Sequence, residues 1–550
     1  MTMDEYRPPF NDNYVESVAR TRGLLASEES LIDGLNRVAR GLAGLDASIR
    51  ENSDSFGADI REALIAGRIA VSSQLFAAVG RSTNAAACTV LPVAGTNDTE
   101  RVQRAVAEAT VASTYGMGCG LDLTEFDDPA RAAVSINQAM HRVHGDLMAC
   151  GARPPALMLT CGSAHRHIAE FINVKRDADF SAWVANISVR VGNDSLEWVR
   201  LRRLIAEAAH RNGEPGILFQ HAADVDNATP TIELTSTAPC AEVFLSPGER
   251  CVFVSVNLAA HVVGGVFDWT RFTASVRLAV RAGDAAVELA ADGAAPVVAA
   301  RRRIGVGVCG FHSALIRMGI PYSLSSGLAA EVSEVLTFTA HRASADLAIE
   351  RGSFPMYDQS RWIDKAWVSR KADHRVGAIP PGQWTRLTSD VTTTGMRNAA
   401  VVAYPPTGVV ATLLGVSRSY EPHFTLVGRT GISSTAELAL APEVSGSLAD
   451  RKDGGSLTGL IMQPASGHQL PGVGSNDVLA CARQIPATVH MDVHAAFSLM
   501  ADEAGSKTVN IPGSATVDDV MTLLDSAREL QLKGLTVFRD GCLNEGTIAS

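Results

Sequence analysis

The side chains best suited to chemistry in this 550-residue chain are thiols, one of them close to a carboxylate. Nine cysteines, Cys88, Cys119, Cys150, Cys161, Cys240, Cys251, Cys309, Cys481 and Cys542, are scattered along its length. An odd number at wide spacing does not read as a disulfide framework, and no C-x-x-C pair offers a zinc ribbon or a thioredoxin-type exchange motif. The expected compartment is the cytosol, where a few thiols can be chemical rather than structural. Cys240 stands two residues before Glu242 in the run TAPCAEVFLSPGERC, residues 237–251. Taken alone, a thiol beside a base is a weak signal, and a buried structural cysteine is the plainer reading.

Other patterns read as bland. Gly305, Gly307 and Gly310 spell G-x-G-x-x-G, but Arg301, Arg302 and Arg303 precede them where a dinucleotide fold needs a hydrophobic strand. Tight packing of a turn against a helix explains these glycines better. His165 and His167 flank Arg166 with no carboxylate or cysteine at ligand spacing, so no metal site is expected. Asp492 and His494 begin like the D-x-H-x-x-G signature of base-off cobalamin proteins, but Phe497 occupies the glycine position.

The neighbourhood of Cys240 changes its reading. Cys251 follows it by eleven positions, and the chain continues into VFVSVNL. This stretch resembles the radical-cysteine loop of adenosylcobalamin-dependent (class II) ribonucleotide reductases, N-P-C-G-E, a second cysteine eleven positions on, then G-S-I-N-L. Residues 86–93, AACTVLPV, resemble that family's S-A-C-F-V-L-P-V. Residues 165–175, 186–189 and 213–219 continue the match in order, as do 303–310 with 319–322, 397–399, 406–408, 421–422, 506–508, 533–536 and 539–541. The resemblance therefore runs collinearly over roughly residues 60 to 542.

What the resemblance implies is specific. The fold would be a ten-stranded α/β barrel of the ribonucleotide reductase and glycyl-radical type, in two five-stranded halves, with a loop delivering Cys240 to its centre. Adenosylcobalamin would be the cofactor, its deoxyadenosyl radical taking the hydrogen of Cys240; residues that hold it are not assigned. The thiyl would abstract the ribose 3′-hydrogen, Glu242 would serve as base on the 3′-hydroxyl, and Cys88 with Cys251 would supply two electrons and become a disulfide. Phosphates would sit on Pro406, Thr407 and Gly408, where backbone N–H groups open a helix. Ala238 falls at a substrate-binding position, yet it replaces the family's Asn near the ribose 2′-position. Ala241 replaces the glycine after the radical cysteine, Ala411 a small hydroxyl residue, and Phe538 a tyrosine. No C-x-x-C pair follows the barrel segment, Cys542 being alone, and no N-terminal ATP-binding helical cone is evident. An external, thioredoxin-like dithiol is therefore the expected reductant.

The elements that must position these residues follow from periodicity. Residues 1–65 read as a helical N-terminal region and 66–550 as the barrel. Within the latter, short apolar runs alternate with amphipathic helices, as a mostly parallel α/β sheet requires. Thr516 and Asp519 form a capping-box start for a helix burying Val517, Val520, Leu524 and Ala527. The Gly/Ser/Pro-rich stretch at about 442–475 reads as a surface excursion. Formal net charge is −11 with no basic block, which argues against nucleic acid as partner. The first residues carry no signal peptide, and no apolar run is long enough to span a membrane.

The first reading is thus a cytoplasmic, homodimeric reductase of ribonucleoside diphosphates with a possible nucleotide effector. A divergent radical enzyme of the same fold, performing redox-neutral epimerisation or dehydration of a nucleotide sugar, is the alternative; a non-catalytic nucleotide-binding homologue comes third. The first two demand that Cys88, Cys240 and Cys251 meet in one pocket despite their separation in sequence.

Overall fold

Alternating apolar residues in the short runs after residue 68 bury one face of each strand under helices, and that face organises the molecule. The computed structural model describes residues 6–10, 12–49, 54–81, 85–150, 156–424, 427–430, 437–440 and 474–542. Its main sheet has ten strands. They are β1 (Ile69–Val71), β2 (Cys88–Val90), β3 (Gly118–Asp122), β4 (Leu157–Gly162), β5 (Ala185–Val191), β6 (Gly216–Phe219), β7 (Arg250–Asn257), β8 (Ile304–Cys309), β9 (Thr508–Ile511) and β10 (Gly534–Arg539).

Strands β2 to β6 run parallel in sequence order. The helices Asp98–Thr114, Pro129–Ala149, Ile168–Ile172 and Ser195–Asn212 make the crossovers that parallel pairing requires. The other half runs the opposite way: β7 is antiparallel to β2, β10 is antiparallel to β6, and β8 and β9 lie parallel to β7 and β10. Isolated bridges Val306–Val402 and Tyr404–Gly505 carry the backbone hydrogen bonding from β8 through residues 400–404 to 503–506, which lead into β9. The ladder thus runs round from β8 to β9, as the expected ten-stranded α/β barrel requires.

Outward residues of the wall, such as Leu159, Ile187, Val254 and Val306, share a buried core with helix residues Ile136, Met140 and Ile205. Inward positions include small and polar residues such as Gly120, Thr160 and Gly305, beside larger ones such as Met158 and Phe253. The glycines of the G-x-G-x-x-G run show why some are small. A Cβ on Gly305 would lie 2.4 Å from the Phe253 ring, and one on Gly307 would lie 2.4 Å from the Ala403 carbonyl oxygen. Gly305 and Gly307 therefore sit in strand β8 and allow close strand packing, not the turn-on-helix packing expected; only Gly310, at φ 73°, opens a helix.

The N-terminal helices Asn13–Thr21, Leu31–Ile49 and Asp54–Ile65 join the same core. Buried Asp46 ties them to the barrel helices by pairing with Arg281 at 2.8 Å and with Arg351. The capping box of Thr516 and Asp519 is formed, and Val520, Leu524 and Ala527 are buried as expected; Val517 packs against the core only half-buried, and Leu523 is buried as well. The expected surface excursion at 442–475 falls almost wholly outside the described residues. Among the described residues no helix is long and apolar enough to cross a membrane.

A backbone-to-backbone contact in the barrel yields a test. A Cβ on Gly120 would come 2.0 Å from the Thr237 carbonyl oxygen, a backbone atom that cannot swing away. Gly120→Ala is expected to cost at least ~1–3 kcal/mol in denaturant unfolding; an unchanged midpoint would contradict this packing.

Candidate active site

A short hairpin stands inside the barrel. Its strands Ser236–Thr237 and Phe244–Leu245 pair antiparallel, and Ala238 N–H donates to Val243 O at 3.0 Å. Ala241 N–H then donates to Ala238 O at 2.9 Å, closing a tight turn that carries Cys240 at its tip. Ala241 holds φ 60°, the left-handed region, which accounts for a glycine at this position in the resembled motif.

Both halves of the barrel grip the hairpin. On one side Ser236 and Thr160 of β4 share a hydroxyl hydrogen bond at 2.9 Å. A Cβ on Gly118 would meet Pro239 at 2.9 Å and Cys88 Sγ at 3.2 Å. On the other side Ala504 N–H donates to the Glu242 carbonyl oxygen at 3.0 Å. Sequence reasoning does not single out Gly118, Gly120 or Ala504; the G-C-G run at 118–120 is the available signal for the first two.

The three cysteines meet here. Cys88 of β2 and Cys251 of β7 are direct partners in antiparallel register. Opposed residues in such a pair have Cα atoms ~4.5–5.5 Å apart, inside the range that a disulfide spans. Neither is in a disulfide in this structure. Cys88 Sγ lies 4.0 Å from Glu242 Oε1. Cys88 and Cys251 are buried, whereas Cys240 is exposed at the turn.

Burial dominates the electrostatics. It pushes the Cys88 thiol well up, and the negative charge of Glu242 and the neighbouring thiols Cys240 and Cys251 add to the rise. Cys251 is also raised by burial, against the nearby Arg303 guanidinium. Glu242 is pushed up to about 7 by burial, which backbone N–H groups only partly offset. Its Oε2 is buried with no hydrogen-bond partner among the described residues. A carboxyl poised near neutrality with one open oxygen can take a proton from a hydroxyl group brought to it.

Charged groups brace this centre from behind. Glu249, whose burial would raise its pKa, is held low by Arg301 and Arg303 at 2.8 and 2.9 Å. Arg303 continues to Glu503. Lys533 donates to Asp502 O at 2.7 Å, also reaches Glu503 O, and pairs with Asp226 at 2.6 Å. Residues 502–504 are thereby fixed where Ala504 meets the hairpin.

The remaining predicted positions are placed less directly. Ala238 turns its methyl into a cluster with Val243, Cys251 and Phe253 and presents no polar group. Thr407 is buried at φ 55°, its Oγ1 accepting from Ser419 N–H at 2.7 Å. With half-buried Pro406 and Gly408 it opens the short helix Gly408–Leu414. His165 Nε2 lies 2.9 Å from Phe126 O, and His167 lies 3.5 Å from Glu170, a carboxylate three residues on that the spacing argument passes over.

Residues 189–538 match the family model described as ribonucleotide reductase, barrel domain, more than half of the chain. The chain belongs to that family. The vitamin B12-dependent ribonucleoside-diphosphate reductase of Mycobacterium tuberculosis (strain CDC 1551 / Oshkosh) is 28% identical over 507 residues, 84% of this chain and 69% of that protein. The protein of the same description from Thermoplasma acidophilum is 30% identical over 351 residues, covering 61% of this chain and 42% of its own. The vitamin B12-dependent ribonucleotide reductase of Streptomyces coelicolor is 24% identical over 516 residues, covering 78% and 53%. Within this reductase family the chain is divergent.

Two outcomes follow from the geometry. The folded state holds the Glu242 proton more tightly than an unfolded chain with a carboxyl near 4.5. Its contribution therefore destabilises progressively as pH rises from about 4.5 to about 7. Glu242→Gln should flatten that part of the stability–pH curve measured by denaturant titration; an unchanged slope would contradict the buried carboxyl. Ala241→Gly should stabilise by about 0.5–1 kcal/mol, because relief of left-handed strain outweighs the entropy glycine adds to the unfolded chain. A lower unfolding midpoint would speak against that turn.

Proposed function

We propose that this protein is a cobalamin-dependent reductase that converts ribonucleoside diphosphates to 2′-deoxynucleotides. The observation that carries the reading is the opposition of Cys88 and Cys251 across β2 and β7, with Cys240 and Glu242 on the turn between the barrel halves. The descriptions of the relatives support cobalamin and a diphosphate substrate. Of the three thiols only Cys240 is exposed, which fits a group that must reach one thiol from outside and leave the pair untouched. Adenosylcobalamin, when bound, supplies the radical that removes the Cys240 hydrogen; no residues of this chain are assigned to hold it.

The chain's own residues then divide the work. Cys240, at the turn, takes the ribose 3′-hydrogen and later returns it. Glu242, with Oε2 open and its pKa at about 7, accepts the 3′-hydroxyl proton. Replacement of the 2′-hydroxyl by hydrogen, with release of water, consumes two protons and two electrons. Cys88 and Cys251 provide all of them by forming one S–S bond, one thiol hydrogen leaving in the water and the other going to C2′, while Glu242 returns its proton to the 3′-oxygen. Both thiols stay protonated at neutral pH because they are buried, so they serve as hydrogen donors rather than nucleophiles. Phosphates rest at Pro406, Thr407 and Gly408. An external dithiol restores the pair; a homodimer, a nucleotide effector and a cytoplasmic setting belong to the same reading.

Ala238, with no amide to hold the 2′-hydroxyl, favours the second reading, a redox-neutral change at the sugar. Product analysis decides between them. With adenosylcobalamin and a ribonucleoside diphosphate, the reductase stops near one 2′-deoxynucleotide per enzyme unless dithiothreitol is supplied. Cys88→Ser blocks reduction and Cys240→Ala removes all turnover. Product that keeps its 2′-oxygen and accumulates over many thiol-free turnovers would replace the reductase by the redox-neutral enzyme. No conversion of any nucleotide would leave the non-catalytic homologue.

A further inference from the structure

One polar side chain on the barrel wall is exposed between two buried neighbours. In β5, Ala185 and Ile187 are buried under the helices, but Asn186 between them is exposed. Its amide makes no hydrogen bond among the described residues, so both its donor and its acceptor are open to a ligand.

The sheet register fixes where it points. Thr160 of β4 faces the interior, since its hydroxyl bonds Ser236 of the hairpin. Met158, two residues earlier, faces the same way by the strand period. Met158 pairs with Gly120 on one side and with Asn186 on the other. Gly120, Met158 and Asn186 therefore form one row on the inner face, and the hairpin rests on the first of them through Thr237. Adjacent strands are ~4.8 Å apart, so Asn186 stands two strands, roughly 10 Å, along the wall from Gly120, where Thr237 touches it, and one strand from β4, where Ser236 bonds Thr160.

Its position round the barrel is equally informative. Between Asn186 and the segment ending in Pro406, Thr407 and Gly408 lie β6, β10 and β9 on one side, and β4, β3, β2, β7 and β8 on the other. Separated by three strands one way and five the other, the two sites lie across the interior from each other, and the hairpin that carries Cys240 and Glu242 stands in that interior. A nucleotide has the same order: phosphate, sugar, base. With its phosphate on the 406–408 loop and its ribose over Cys240, its base extends to the wall that carries Asn186.

We infer that Asn186 reads the nucleobase of the substrate. This rests on the reductase site described above and adds a specificity residue to it. An Asn amide offers one donor and one acceptor side by side, which matches the N6/N7 edge of adenine. The exposed, uncommitted amide is held on a rigid strand, so it is preorganised for such a pair.

Calorimetric titration of the full chain with the four ribonucleoside diphosphates, and with ribose 5-phosphate as a base-free probe, tests this. Asn186→Ala should weaken binding of the adenine nucleotide about tenfold to a hundredfold and flatten the ranking of the four bases. Binding of ribose 5-phosphate and the melting temperature should not move, because the amide bonds nothing among the described residues. Asn186→Asp keeps the shape, presents acceptors only, and should shift preference from adenine toward cytosine. An unchanged ranking in both variants, or an equal loss for the base-free probe, overturns the assignment of Asn186 alone. Failure of the unaltered protein to bind any nucleotide overturns the reductase reading and this inference with it.

Discussion

A hairpin can occupy the middle of a barrel only where the wall gives up its side chains. Gly118 and Gly120 on β3 do this here, letting Pro239 and the Thr237 carbonyl oxygen approach closer than any Cβ would permit. The position of Cys240 follows, because the turn is held by backbone contact with β3 on one side and by Ala504 on the other. The pairing of Cys88 with Cys251 is independent of the hairpin and depends only on the antiparallel seam between β2 and β7. One centre is thus assembled from two devices: a seam that opposes two thiols and a threaded turn that brings a third thiol with a carboxyl.

The cost of that assembly is a polar group in a dry interior. Burial keeps Glu242 partly protonated near neutrality, where an exposed carboxyl would be wholly ionised. The charged clusters behind the hairpin work in the opposite sense. Glu249 between Arg301 and Arg303, and Asp226 beside Lys371 and Lys533, stay ionised because cations offset their desolvation. Buried ion pairs of this kind add little net stability but penalise any arrangement that separates them. They immobilise the strand that meets the hairpin, while Glu242 is left able to change its charge.

Much of this arrangement is legible in the amino-acid sequence. The cysteines at 88, 240 and 251 stand out by their flanking motifs, and all three meet in one place. Strand and helix positions are readable because the wall strands, buried on both faces, are short and largely apolar while the covering helices have period 3.6. The helix Val517–Glu529, started by the capping box of Thr516 and Asp519, is an instance. The glycines of the G-x-G-x-x-G run mislead, because a tight turn and a strand pressed against a neighbour demand the same missing Cβ. Val517 packs against the core as its periodicity requires, but at the first turn of its helix it stays half-exposed.

Local composition and spacing dictate which residues are chemical and in what order the elements run. They do not dictate that Gly118 and Gly120 clear a path, that Ala504 anchors Glu242, or that Asn186 stands across from residues 406–408. Each of those depends on which strand lies beside which, and on the face a residue presents once the sheet has curved round. Strand neighbours in a barrel are set by closure of the whole wall, a condition that no window of sequence contains. The raised pKa of Glu242 is likewise tertiary, for it measures how much water the surrounding strands exclude.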